Sequence, residues 1–211
     1  MNPHREPSPN EPTETDIERA AEAALRGELI VIPTDTVYGI GTRPDDAAAT
    51  ARLFEAKRRP RDLELPVLVP SREAAQRIAK VNDRAQWLAD RLWPGPLTIV
   101  LLRTEASASW DLGGNPRTIG LRVPDDEVAL AVLRVTGPLA VTSANISGLP
   151  TPSSCEDVTA LFGDAVAAIL CAPSELTARP STVVDCTLPE PVVLRAGTTS
   201  EAEIRSILGA G

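Results

Sequence analysis

The chain has 211 residues, 43% of them apolar, enough for one domain with a sizeable core but too few for two ordinary ones. No apolar run approaches the ~20 residues of a membrane helix, and the N-terminus lacks the apolar stretch of a secretory signal, so a cytosolic protein is expected. A net charge of −8 and only six aromatic residues (three Trp, two Phe, one Tyr) argue against a binder that works through a basic field or base-stacking platforms.

Residues 1 to 14 are rich in Pro, Glu, Asn and Thr and read as a disordered tail, leaving 15 to 211 as one catalytic domain. Thr15-Asp16-Ile17-Glu18 resembles a capping box, and Ile17, Ala20, Ala21, Ala24 and Leu25 recur at helical spacing until Gly27. Residues 29 to 33 read as a strand running into a loop. Helices follow at 47–56, 72–79 and 83–92, with a strand at 65–69 between the first two. Strands are expected at 98–102, 118–123 and 139–142, with a helix at 126–136. A helix at 155–162, strands at 167–170, 182–185 and 192–195, and a helix at 200–208 complete the chain. Strands and helices interleave irregularly, which points to an α+β arrangement, a twisted mixed sheet flanked by helices.

The sole histidine, His4, lies in the tail, which excludes a Ser-His-Asp triad and an HExxH zinc site. Cys155, Cys171 and Cys186 are odd in number, widely spaced and without a CxxC pair, so no metal site is expected and they read as reduced, buried small hydrophobes. Three stretches carry polar chemistry. Pro33-Thr34-Asp35-Thr36-Val37-Tyr38-Gly39-Ile40-Gly41 follows a strand; it can present hydroxyls and N–H groups to a ligand or be a locally satisfied turn. Lys57-Arg58-Arg59-Pro60-Arg61 places four cations just past a helix, where they can clamp phosphate or complement the helix C-terminus. Val141-Thr142-Ser143-Ala144-Asn145-Ile146-Ser147-Gly148 again follows a strand; its hydroxyls, amide and glycine suit ligand oxygens and nitrogens or an ordinary turn.

Taken together, PTDTVYGIG, KRRP, LWPGPLT, TIGLRVP, TSANISG, STVVD and LRAG, in that order over about residues 15 to 208, resemble the YrdC-like threonylcarbamoyl-AMP synthase family in its short, single-domain form. The resemblance implies a YrdC/RibB-like sheet with a concave, cation-lined cavity. It also implies a reaction: L-threonine, bicarbonate or CO2 and ATP give threonylcarbamoyl-AMP and pyrophosphate, Mg²⁺ arriving with ATP. A downstream tRNA threonylcarbamoyl-transfer complex would consume the product, and double-stranded RNA or tRNA binding is a further implied partner property. Carried over position by position, Thr36, Arg122 and Val141 would face threonine. Lys57, Arg59, Thr118, Ser143, Asn145, Thr151 and Arg195 would face ATP, with Lys57 and Arg59 the catalytic cations. The family often has a basic or amide residue and then Pro where this chain has Leu63-Glu64, and Leu68 stands where some members have histidine. Two other readings are a double-stranded RNA or ribosome-binding module and a carbamoyl-transfer domain of the hydrogenase-maturation type.

Overall fold

The structure is a computed structural model that describes residues 11–209. Its helices are α1 (Glu14–Leu25), α2 (Ala47–Ala56), α3 (Arg72–Ile78), α4 (Asp83–Leu92), α5 (Glu127–Thr136), α6 (Cys155–Phe162) and α7 (Glu201–Gly209). The strands are β1 (Ile30–Ile32), β2 (Gly39–Thr42), β3 (Val67–Leu68), β4 (Ala79–Lys80), β5 (Leu97–Arg103), β6 (Thr118–Arg122), β7 (Leu139–Ser143), β8 (Ala168–Ile169), β9 (Thr182–Asp185) and β10 (Val192–Arg195). Short polar side chains start the helices by accepting from otherwise orphaned N–H groups: Asp46 caps α2, Ser71 α3, Asn82 α4, Asp126 α5 and Ser154 α6. Among the described residues no helix is long and apolar enough to cross a membrane.

The strands form one mixed sheet in the order β10-β9-β5-β6-β3-β7-β2-β1-β8, with β4 added to β5. β1–β8, β3–β6 and β5–β9 are parallel and the other pairs antiparallel. Strand residues alternate between two faces. On one face Val31, Val67, Ile99, Leu121 and Val184 join the main core, which α2, α3, α4, α6 and α7 cover through Leu53, Ile78, Leu88, Phe162 and Ile204. On the other face α1 and α5 form a second core with Ile30, Ile32, Leu139 and Val141. That second layer spans β8, β1, β2 and β7. It leaves the opposite face of β6, β5, β9 and β10 without a helix, and this bare half-face is the floor of the site.

The structure moves several sequence expectations. The capping box is Thr13 with Asp16, so α1 starts at Glu14, inside the stretch read as tail; residues 1–10 of that tail, with His4, lie outside the described residues. β2 takes in the last three residues of the PTDTVYGIG stretch, which was expected to be loop. Its glycines hide a strand because a Cβ at Gly41 would sit 2.5 Å from the Ala140 carbonyl oxygen on β7. The cysteine expectation fails for two of three: Cys155, at the start of α6, is disulfide-bonded to Cys171, just after β8, with Cα atoms 5.4 Å apart. Cys186 is free and buried, and burial pushes its thiol up to about 12.

Candidate active site

The bare half-face carries a cavity of about 460 Å³, in the size range of small-molecule sites. Its floor is built from one face of the strands. Leu68 pairs with Arg122, and Thr98 with Val183, which in turn pairs with Arg195. Ile99 pairs with Leu121, so Thr98 lies beside Arg122 in the same row. Gly120 is two residues along β6 and leaves bare backbone in the floor, and Thr118 is two further. At ~3.3 Å per residue, the Thr118 row is about 13 Å from the Arg122 row.

At the first row, the turn before β2 is self-satisfied. Thr34 Oγ1 accepts from the amides of Thr36 and Val37 and donates to the Val37 carbonyl at 2.6 Å. This rigid turn meets Arg122, whose Nη1 donates to Thr36 Oγ1 at 2.9 Å and whose Nη2 donates to Asp35 Oδ1 at 2.5 Å. Arg122 Nε donates to the Gly95 carbonyl at 3.0 Å, tying in the WPGP turn. Burial opposes the Arg122 charge and Asp35 offsets that cost. A guanidinium has five N–H donors, so two remain for a ligand carboxylate.

Lys57 and Arg59 have different fates. Lys57 closes α2 and is only 1% exposed. Its Nζ donates to the carbonyl oxygens of Ser143 and Asn145, and to Asn145 Oδ1 at 3.4 Å. Asn145 in turn holds its own loop, accepting from Ser143 Oγ at 2.6 Å and donating to the carbonyls of Ile146 and Leu149. The Lys-x-Arg and Ser-x-Asn stretches are thus one linked unit. Burial, then Arg59, pushes the Lys57 ammonium down to about 7, while its three acceptors favour the charged form. Arg59 lies in the cavity wall, its Nε donating to the Leu63 carbonyl and its Nη2 to the Glu64 carbonyl at 2.9 Å. Burial and the nearby Arg195 both act against its charge, so an anion between the two arginines would relieve them.

Arg195 donates through Nη2 to the Ser181 carbonyl at 2.9 Å and to Ser181 Oγ at 3.2 Å, and Ser181 Oγ meets Thr98 Oγ1 at 2.9 Å. At the far row Thr118 Oγ1 donates to Glu64 Oε2 at 3.1 Å. Glu64 Oε1 lies 3.7 Å from Arg103 Nη2, and neither of those buried atoms has a hydrogen-bond partner. Burial pushes the Glu64 carboxyl up to about 7, against the pull of Thr118 and Arg103.

Of the residues expected from the sequence, Thr36, Arg59, Arg122, Val141, Ser143, Thr151 and Arg195 line this one cavity. Lys57, Asn145 and Thr118 do not line it. Lys57 and Asn145 brace the loop that carries Ser143, so Arg59 is the cation of the pair that faces the cavity; Thr118 reaches the site through Glu64. Thr34, Thr98, Gly120, Ser181 and Glu64 line the cavity without having been singled out as ligand residues. Ser181 opens the STVVD stretch and Thr98 is the polar member of an alternating strand; those were the available signals. Among the described residues no group of three or more His, Cys, Asp or Glu side chains could hold a metal ion.

A helix-backed mixed sheet whose bare half-face holds three arginines among hydroxyls defines a site for small anionic, phosphate-bearing ligands. The chain belongs to the Sua5/YciO/YrdC family, whose model, described as "Telomere recombination", matches residues 22–197. A Mycobacterium tuberculosis protein provisionally named a threonylcarbamoyl-AMP synthase is 44% identical over 192 residues, 90% of this chain and 88% of that protein. The threonylcarbamoyl-AMP synthase of Bacillus subtilis is 32% identical over 204 residues, covering 96% of this chain and 58% of the relative. Among solved structures, Pyrococcus abyssi Sua5 complexed with L-threonine superposes with a TM-score of 0.85 at 36% identity, over 93% of this chain and 58% of that one. Escherichia coli YciO matches with a TM-score of 0.84 at 27% identity over 93% and 96%.

Proposed function

We propose that this chain is an L-threonylcarbamoyladenylate synthase, consuming L-threonine, bicarbonate or CO2 and ATP and releasing pyrophosphate. The observation that carries the reading is the joining of Arg122, Arg59 and Arg195 by one cavity that also holds Thr36, Ser143 and Thr151. Arg122 has donors left for the amino-acid carboxylate, while Leu68 and Val141 supply an apolar wall for a side-chain methyl. The threonine amine adds to CO2 and loses a proton, giving a carbamate. A carbamate oxygen then bonds to the α-phosphorus as the bond to the β-phosphate bridging oxygen breaks and pyrophosphate leaves. Such a displacement depends on positioning and charge stabilisation more than on a protein nucleophile. Arg59 and Arg195 offset phosphate charge, and Ser143 offers a hydroxyl on a loop that Lys57 holds still. Mg²⁺ enters with the phosphates as part of the nucleotide substrate.

In this reading the adenylate passes to a tRNA threonylcarbamoyl-transfer complex in the cytoplasm. Likeness to HypF, at 17% identity and a TM-score of 0.75, reflects the fold alone. The deciding experiment is pyrophosphate release by the purified chain, expected only when ATP, threonine and bicarbonate are all present. Release that ignores threonine, or none at all, would overturn the assignment.

A further inference from the structure

The Glu64 carboxyl is a partly buried acid in the wall of a cavity that also gathers Arg59, Arg122 and Arg195, and the activity as described gives it no task. Its surroundings are built rather than incidental. Thr118 donates to Oε2, and Arg103 stands behind Oε1, held by its own bonds to the carbonyls of Thr118, Ser107 and Trp110. Oε1 is sealed from solvent on the Arg103 side. A carboxylate offers about four lone-pair sites, so Oε2 keeps acceptor capacity beyond Thr118.

Position decides what that acceptor can meet. The amino-acid carboxylate belongs at Arg122, and the α-phosphate must follow within bonding reach of the carbamate. Glu64 lies at the Thr118 row, about 13 Å along β6 from Arg122, which is too far to act as base on the amine. Between the rows the floor is the bare backbone of Gly120, over which a flat or narrow group can lie. A carboxylate also repels phosphate, so the triphosphate stays with Arg59 and Arg195 and the nucleoside turns towards Glu64. Resting on the proposed ATP-dependent activity, we propose that Glu64 is a specificity-determining residue that accepts a hydrogen bond from the nucleoside part of ATP, either the adenine amino group or a ribose hydroxyl. Desolvation lifts this carboxyl, and a ligand donor favours its ionised form, so binding and ionisation reinforce one another.

The test is calorimetric titration of the wild-type protein and Glu64→Gln with ATP, inosine triphosphate (an oxygen in place of the adenine amino group) and 2′- and 3′-deoxy ATP. Wild type should prefer ATP over the analogue lacking the contacted donor by roughly ten- to a hundredfold. That one preference should shrink towards parity in Glu64→Gln, the inosine ratio marking a base contact and a deoxy ratio a ribose contact. Unchanged ratios in the variant, or no preference in wild type, overturn the proposal. Should Glu64→Gln fail to fold, Glu64→Asp withdraws the same carboxylate by one methylene and must shrink the same ratio; if it does not, the proposal falls. Because binding is read directly, discrimination without threonine-dependent pyrophosphate release would leave the Glu64 role standing and remove the synthase reading. Turnover with unchanged ratios would do the reverse.

Discussion

Lys57 and Arg59 stand two residues apart at the end of α2 and point to different tasks. Lys57 is sealed against the carbonyls of Ser143 and Asn145, whereas Arg59 is part of the cavity wall. Lys57→Met keeps the length but removes the donor, and each buried acceptor left unsatisfied costs about 1 to 3 kcal/mol. For a chain of this size the melting temperature should fall by roughly 2 to 4 °C per kcal/mol, and activity should fall with it as the Ser143 loop loosens. Arg59→Ala should lower threonine-dependent pyrophosphate release by about ten- to a hundredfold with little change in melting. Calorimetry and turnover of the two variants side by side check this split; equal melting of Lys57→Met and wild type would refute the bracing role. Glu64 gives a pH signature. Its carboxyl titrates near 4.5 ordinarily and about 7 in the fold, so between those values the folded chain binds more protons than the unfolded one. The stability from that difference is complete below 4.5 and is lost as pH rises through 7. Denaturant midpoints of Glu64→Gln across pH 4 to 8 should decline less steeply than those of wild type, and parallel curves would contradict the shift.

At the level of elements, β6 is the hinge between fold and function. Ile119 and Leu121 point into the main core, while Gly120 and Arg122 serve the cavity on the other face. Alternation thus lets five residues pin the sheet and line the site at once. A Cβ at Gly120 would lie 3.4 Å from Thr98 Cγ2 and 3.8 Å from Pro66 Cβ, ordinary contacts that the strand tolerates. Valine suits a strand but would raise a branched side chain from the cavity floor. Gly120→Val should therefore melt close to wild type and lose most of its affinity for ATP, as titration would show; undiminished affinity would mean that ligand does not cross this strand. The α6 region shows the same economy of connection. Its start is tied by Cys155–Cys171 to the segment after β8, where the Ala172 amide donates to the Tyr38 hydroxyl at 2.9 Å.

At the level of the whole molecule, the site exists because the helices cover the sheet unequally. Five helices close one face, two close part of the other, and the remaining strands keep an open floor. A ligand filling that floor binds only the folded chain and stabilises it by mass action. Saturation at about a hundred times the dissociation constant adds ~2.7 kcal/mol, so ATP should raise the melting temperature on the order of 5 to 10 °C. Thermal melts with ATP, with threonine and with both should show increments that grow when the two are combined; a melt indifferent to ATP would argue that the cavity is not its site.

Much of this was legible from residue order. The helices at 47–56 and 83–92 coincide with α2 and α4, and those at 126–136 and 155–162 with α5 and α6 to within a residue, because apolar spacing and Asp, Asn or Ser caps are local signals. The motif order marked the family, and Thr36, Arg59, Arg122, Val141, Ser143, Thr151 and Arg195 do converge. Other features are set by partners distant in sequence. β2 was hidden because its glycines are required by close approach to β7, not by any local strand preference. That Lys57 turns inward depends on carbonyls 86 and 88 residues away, and the Cys155–Cys171 bond on where β8 ends. In the sequence Glu64 stands out only as a departure from the family pattern at Leu63-Glu64; the pairing of β3 with β6 sets it between Thr118 and Arg103 at the edge of the cavity. Periodicity and capping act within a few residues and are written in the chain, while burial, charge pairing and cavity shape arise where distant segments meet and are decided by packing.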